Sequence, residues 1–184
     1  MSKFLNLTQI ISVPLFLEFV FFNTASAGPF TNKNRLGDLT MVMSPAYALG
    51  MTVMEKDWTG TKQLGEVLLG SQLAVEGLKA FKIEERPNHA DKKSFPSGHA
   101  AGAFSGAMFV HKRYGWKPAL LPYVMSAITC WSRVAVKAHY LHDTIAGAAI
   151  SALFTWILVD DYIPKDVSVN ADTESVGINF KTTF

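Results

Sequence analysis

An all-α fold is what this sequence predicts: a bundle of about five to six helices with a polar site gathered at one end. Three observations carry that prediction. Uncharged runs at 39–54, 118–132 and 144–159 are separated by short charged turns. Residues 62–81 repeat apolar side chains at helical spacing. Pro96-Ser97-Gly98-His99 introduces a further apolar run, Ala100–Val110, with Ser97 at the N-cap position. The 184 residues suit a single domain with one sizeable core.

In chain order, residues 1–27 hold Lys3, an apolar stretch from Phe4 to Phe22 interrupted by Glu18, and then Ala25-Ser26-Ala27. The pattern fits a secretory signal cleaved after Ala27 or an uncleaved first membrane helix, and in both cases the next residues start outside the cytoplasmic membrane. Gly28–Asp38 reads as an exposed lead-in, and 39–54 as the first helix of a helical domain spanning 28–162. Glu55–Thr61 is a polar turn. In the helix Lys62–Phe81, Leu64, Val67, Leu68, Ser71, Leu73, Val75 and Leu78 give a broad apolar face, with Gln63, Glu66 and Glu76 on other sides. Lys82–Phe95 is a charged loop. Ala100–Val110 is rich in Ala and Gly, which permits close helix packing. His111–Lys117 is a basic turn, and Pro118–Ser132 and Thr144–Val159 are the last two helices. Residues 163–184 form a polar, irregular tail with at most one edge strand near Ile178–Phe184.

Composition narrows the function. Net charge is +2 with no basic run, so nucleic acid is not an expected partner. The single cysteine, Cys130, excludes an intramolecular disulfide. The informative surplus lies between residues 79 and 143: Lys79-x6-Arg86-Pro87, Pro96-Ser97-Gly98-His99, and Ser132-Arg133-x5-His139-x3-Asp143. Free N–H groups at the helix start after Ser97, beside Gly98, make an anion cradle. Lys79, Arg86 and Arg133 can neutralise phosphoryl oxygens, the arginines as planar forks. His139 and Asp143, four apart, meet on a helix or helical turn. A carboxylate on Nδ1–H leaves Nε2 as a nucleophile. His99, at the mouth of the cradle, can protonate a leaving alkoxide and then activate water.

These motifs resemble those of the type 2 phosphatidic acid phosphatase / vanadium haloperoxidase superfamily, with every fixed position filled over about residues 39–162. The resemblance implies a helical fold, His139 as nucleophile, Asp143 as its orienting partner and His99 as acid/base. Lys79, Arg86, Ser97, Gly98 and Arg133 become the phosphate binders. Only Asn88–Phe95 separates the first two motifs, short for that family, leaving little room for a substrate lid.

The implied activity is a metal-independent phosphatase acting through a phosphohistidine on a phosphorylated lipid, an isoprenoid phosphate or a small phosphate ester. No cofactor is expected. His139-x2-His142-Asp143 invites a metal reading, but helical spacing pairs His139 with Asp143 and not with His142. A vanadate-dependent haloperoxidase is the other enzymatic reading, disfavoured by the small size. A catalytically idle scaffold would be expected to have lost some of these residues, and all are present.

Two membrane arguments oppose each other. The uncharged runs, fifteen or sixteen residues long, fall short of the roughly seventeen to twenty of a span. Alternate threading puts His111, Lys112, Arg113 and Lys117 on the cytoplasmic side, as the positive-inside rule prefers, and all three motifs on the outer face. The resemblance favours an enzyme embedded in, or held against, an envelope membrane, with a soluble periplasmic acid phosphatase as the competitor.

Overall fold

The computed structural model describes residues 32–162, 167–172 and 175–180. The expected signal or membrane segment, 1–27, lies outside them. Five helices form the bundle: α1 (Asn32–Met54), α2 (Trp58–Lys79), α3 (Gly98–Tyr114), α4 (Trp116–Ala135) and α5 (Leu141–Leu158). An antiparallel pair follows, β1 (Val167–Asp172) and β2 (Ser175–Phe180), with Val167 opposite Phe180 and Asp172 opposite Ser175. The tail thus carries two paired strands where the sequence suggests one at most.

Helix α3 is the central element, packing against all four others. Its small residues make this possible. A Cβ at Gly106 would stand 2.7 Å from Pro45 Cα of α1, and one at Gly147 of α5 would stand 3.1 Å from the Ala101 nitrogen. Ser44 Oγ donates to the Ala103 carbonyl at 2.7 Å, and Ser151 Oγ to the Ala101 carbonyl at 2.6 Å. Backbones this close gain dispersion contacts along their whole length.

The interior is unusually polar and the exterior unusually apolar. Gln63, Gln72, Ser71, Ser105, Thr129 and Thr155 are buried, while Leu69 and Leu73 of α2, the latter expected on the apolar face, point outward. Leu121 and Val124 on α4 and Ile145, Leu153 and Ile157 on α5 are likewise exposed. Among the described residues, one helix, α5, is long and apolar enough to cross a membrane by length and composition, and only 28% of it is buried.

Of the helix boundaries that differ from expectation, two have a clear local cause. Helix α1 starts seven residues early, at Asn32 rather than Leu39, because Asn34, Gly37, Thr40, Met41, Ser44 and Ala48 bury one face at three- and four-residue steps. In its polar first turns Asn34 faces protein, while Asn32, Lys33 and Arg35 stay exposed. The basic turn between α3 and α4 shrinks to Gly115, whose φ of 94° lets the chain reverse at a single residue.

That end of the bundle is fastened by a buried ion pair. Arg113 Nε and Nη2 both donate to the Asp57 carboxylate, and Nη1 reaches Gln63 Oε1 and the Asp160 carbonyl, each at 2.9 Å. Tyr114 Oη and the Gly60 N–H also donate to Asp57, at 2.7 and 2.9 Å. The clasp ties the α1–α2 turn, α2, α3 and the end of α5 together; losing one partner of such a pair costs about 3–5 kcal/mol.

Candidate active site

The predicted residues converge at the opposite end because each occupies an element terminus there. Lys79 is the last residue of α2, Ser97 and Gly98 open α3, Arg133 lies in the last turn of α4, and Asp143 lies in the first turn of α5. Ser97 caps α3, its Oγ accepting from the Ala100 N–H. After α4 the chain turns through Lys137, whose left-handed φ of 57° ends the helix. The N–H groups of Ala138 and His139 both return to the Arg133 carbonyl, at 3.0 and 3.2 Å, which fixes His139 beside the arginine.

Lys79, Arg86, Gly98, His99, Arg133 and His139 share the wall of one cavity of about 160 Å³. Ser97 and Asp143 stand behind that wall, both fully buried, and the Ser97 N–H donates to the Asp143 carbonyl at 3.0 Å. The volume is below the roughly 300 Å³ that a drug-sized ligand fills, so the cavity suits a phosphoryl head group and not the body of a lipid.

His139 is tautomerically defined. Arg86 Nη1 lies 3.2 Å from His139 Nε2, and a guanidinium has donors only, so Nε2 presents its lone pair. The proton therefore sits on Nδ1, 3.4 Å from Asp143 Oδ2. The same carboxylate oxygen accepts from Ser94 Oγ at 2.6 Å and the Tyr140 N–H at 2.9 Å. Burial would raise the Asp143 carboxyl, but these donors hold it below the ordinary carboxylate range; burial pushes the His139 imidazole below its usual value despite Asp143. The pair is a neutral imidazole on a charged carboxylate.

Arg86 is held by Asp91 Oδ1 on Nε at 2.9 Å and by the Ala138 carbonyl on Nη1 at 3.0 Å. Arg133, 1% exposed, spends Nη2 on the Asn34 carbonyl at 2.9 Å and on Ser132 Oγ at 3.0 Å. Its buried Nε has no hydrogen-bond acceptor among the described residues. That leaves an unsatisfied buried donor on a residue that lines the cavity. Lys79 pairs with the half-exposed Glu76 at 3.0 Å. A Cβ on Gly98 would lie 3.4 Å from Lys79 Nζ, within the space an anion needs.

His99 Nε2 lies 3.0 Å from Asp38 Oδ1, which also lies 3.1 Å from Arg133 Nη1. Burial pushes the His99 pKa down to about 4, against the pull of Asp38. For Asp38 itself, burial works upward, yet the His99 hydrogen bond and the Arg133 charge hold its carboxyl below the ordinary value. A neutral His99 thus donates its Nε2–H in a hydrogen bond to a charged Asp38, leaving Nδ1 as the acceptor.

The PAP2 superfamily model matches residues 59–164, more than half of the chain. The chain belongs to the PAP2 superfamily. Two relatives extend the likeness. This PAP2 chain is 33% identical over 141 residues to Lipid A 4'-phosphatase of Helicobacter pylori, covering 71% of each chain. It is 34% identical over 168 residues to Lipid A 1-phosphatase of Porphyromonas gingivalis, covering 85% of this chain and 36% of that protein. No solved structure matches it.

Several residues that contact the predicted set in this PAP2 chain escape a motif reading. By sequence Asp38 falls in the lead-in, and Asp91 and Ser94 in a charged loop, yet each bonds a motif side chain. Gln72 donates to the Gly98 carbonyl at 2.9 Å and lines the cavity. Gly37 admits Arg133, since a Cβ there would stand 2.7 Å from Nη2. The usable signal for Asp38 and Gly37 is the spacing of small residues down α1, which continues the helix upstream of Leu39.

Proposed function

We propose that this chain is a metal-independent phosphatase of a lipid phosphate, with lipid A as the substrate class, working through a phosphohistidine on His139. The observation that carries the proposal is the lone pair of His139 Nε2, held by Asp143 through Nδ1 and facing Arg86 at 3.2 Å, in a cavity whose wall holds four cationic side chains, Lys79, Arg86, Lys93 and Arg133. Those cations do the charge neutralisation that a metal ion supplies elsewhere. The lipid A phosphatases among its relatives support the substrate class; one is named for the 4'-phosphate and the other for the 1-phosphate.

In the first half-reaction Nε2 bonds phosphorus while the bond to the leaving oxygen breaks, with Lys79, Arg86, Arg133 and the N–H groups at Gly98 holding the phosphoryl oxygens. A low His99 pKa means that the proton arrives with a monoanionic phosphate, is shared with Nδ1, and passes to the leaving oxygen. In the second half-reaction His99 Nδ1 takes a proton from water, the water oxygen bonds phosphorus, and the P–N bond breaks to release phosphate. Ser97 acts through its cap on α3, keeping the cradle N–H groups aimed.

The inverted distribution of side chains supports an enzyme embedded in the membrane, with runs 39–54, 118–132 and 144–159 in the hydrocarbon. Exposed Trp58, Trp116 and Trp156 mark one interface, and Trp131 and Tyr140 the other. At 18 residues, α5 is about 27 Å long, close to the hydrocarbon thickness. The site end then lies at a membrane surface, where a lipid presents its phosphate; an exported N-terminus makes that the periplasmic face.

The test is phosphate release from lipid A and from phosphatidate in mixed micelles with chelator present, followed by trapping of labelled enzyme. Wild type releases phosphate and carries an acid-labile, base-stable label, and His139→Ala does neither. Release by His139→Ala at the wild-type rate sinks the nucleophile assignment.

A further inference from the structure

The two oxygens of Asp143 serve different neighbours. Oδ2 takes the Ser94, Tyr140 and His139 donors. Oδ1 is fully buried and accepts no hydrogen bond among the described residues. It points at His142, whose Nε2 lies 3.3 Å away, and that same nitrogen lies 2.8 Å from Glu84 Oε2. Two carboxylates and an imidazole therefore converge on one point, with all three ligand atoms within 4.8 Å of one another. One imidazole proton cannot satisfy both carboxylates well.

We propose that Glu84, His142 and Asp143 form a binding site for a zinc-class divalent cation, and that its occupancy inhibits the enzyme. The donor set, one nitrogen and two carboxylate oxygens, leaves one position for water and suits zinc, whereas magnesium demands an octahedron of oxygens. Tetrahedral bonds of about 2.0–2.1 Å put ligand atoms about 3.3 Å apart, which is the present His142–Asp143 separation. Glu84 has to retreat from His142 by about half an ångström and settle at the same separation from Asp143 Oδ1, now within 4.8 Å, and its carboxylate is partly exposed and so able to adjust. The site is prebuilt on its other side. His142 stacks on Tyr140 with 5.3 Å between ring centroids and an 8° interplanar angle. Glu84 is fixed by its carbonyl, which accepts the Ser94 N–H at 3.0 Å.

Inhibition follows from the shared carboxylate and rests on the His139 reading. A dication on Oδ1 draws charge away from Oδ2, weakens its hold on the His139 Nδ1 proton and makes Nε2 a poorer nucleophile. The cation takes no part in turnover.

The experiment titrates cobalt(II), a spectroscopic stand-in for zinc, into the full chain in detergent and reads the visible absorption of tetrahedral cobalt. In parallel, zinc is titrated against phosphate release. Glu84→Gln and His142→Gln serve as variants that keep basal activity. The expected result is one cobalt per chain and inhibition by zinc but not magnesium, both weakened on the order of 100-fold in each variant. Cobalt binding or zinc inhibition that is unchanged in His142→Gln overturns the site. Saturating zinc that leaves turnover untouched overturns the inhibition. His142-dependent cobalt binding by a chain inactive on every phosphate ester tried upholds the site while sinking the phosphatase reading.

Discussion

Asp38 Oδ1 lies 3.0 Å from His99 Nε2, so a side chain near the start of the first helix sets the tautomer of a histidine at the start of the third. Its ion pair with Arg133 at 3.1 Å joins a cation to the same arrangement.

Asp38→Asn is expected to lower kcat about 10- to 100-fold, a loss typical of a partner that orients an acting group. Asp38 favours the protonated imidazole, so its removal takes the His99 pKa below its present value of about 4. The acid limb of the kcat–pH profile, where neutral His99 is lost as the base for water, accordingly moves to lower pH. A uniform loss with an unmoved profile assigns Asp38 to folding alone.

Arg86→Lys removes more than a fork. It breaks the bonds to Asp91 and Ala138 and the donor that faces His139 Nε2. We expect kcat/KM to fall on the order of 10²–10³-fold with the melting temperature little changed, as for one lost oxyanion donor. Steady-state kinetics of the purified variant check this.

Gly37→Ala places a methyl 2.7 Å from Arg133 Nη2 and 2.6 Å from Ser132 Cβ. Helix α1 must then move away from α4, costing about 1–3 kcal/mol and displacing Arg133. Thermal unfolding and KM should both report it, and normal values for both refute the packing argument.

His99 makes stability depend on pH. Above pH 6.5 it is neutral in folded and unfolded chains alike; between 6.5 and about 4 the unfolded chain takes up a proton that the folded one refuses. Stability is therefore lost as pH falls through that window, by about 3 kcal/mol in total. Unfolding in detergent at pH 7 and pH 4 should show a smaller difference for His99→Gln than for wild type.

The fold and the motif geometry were legible because the informative residues have local causes. Ser97 caps a helix, Gly98 leaves space, and the run of small residues after it makes α3 central. Alternating helices bring every motif to one end. What stayed illegible depended on surroundings that the sequence does not display. Asn34 and Asp38 look like a solvated lead-in until Arg133 and His99 are packed beside them. Leu73 looks like core, and Gln63 like surface, until the bundle turns its polar atoms inward. His142 carries a sequence signal toward His139 and Asp143 alone, because its partner Glu84 reaches it from 58 residues away.

The clasp around Arg113 also has a mechanical side. It pins the α1–α2 turn, α2, α3 and the end of α5 at one place, so any tilt of α2 about that place would move its far tip most. That tip is Lys79. With 22 residues α2 is about 33 Å long, and a tilt of about 5° swings the lysine through about 3 Å, enough to grip a phosphoryl oxygen or let it go.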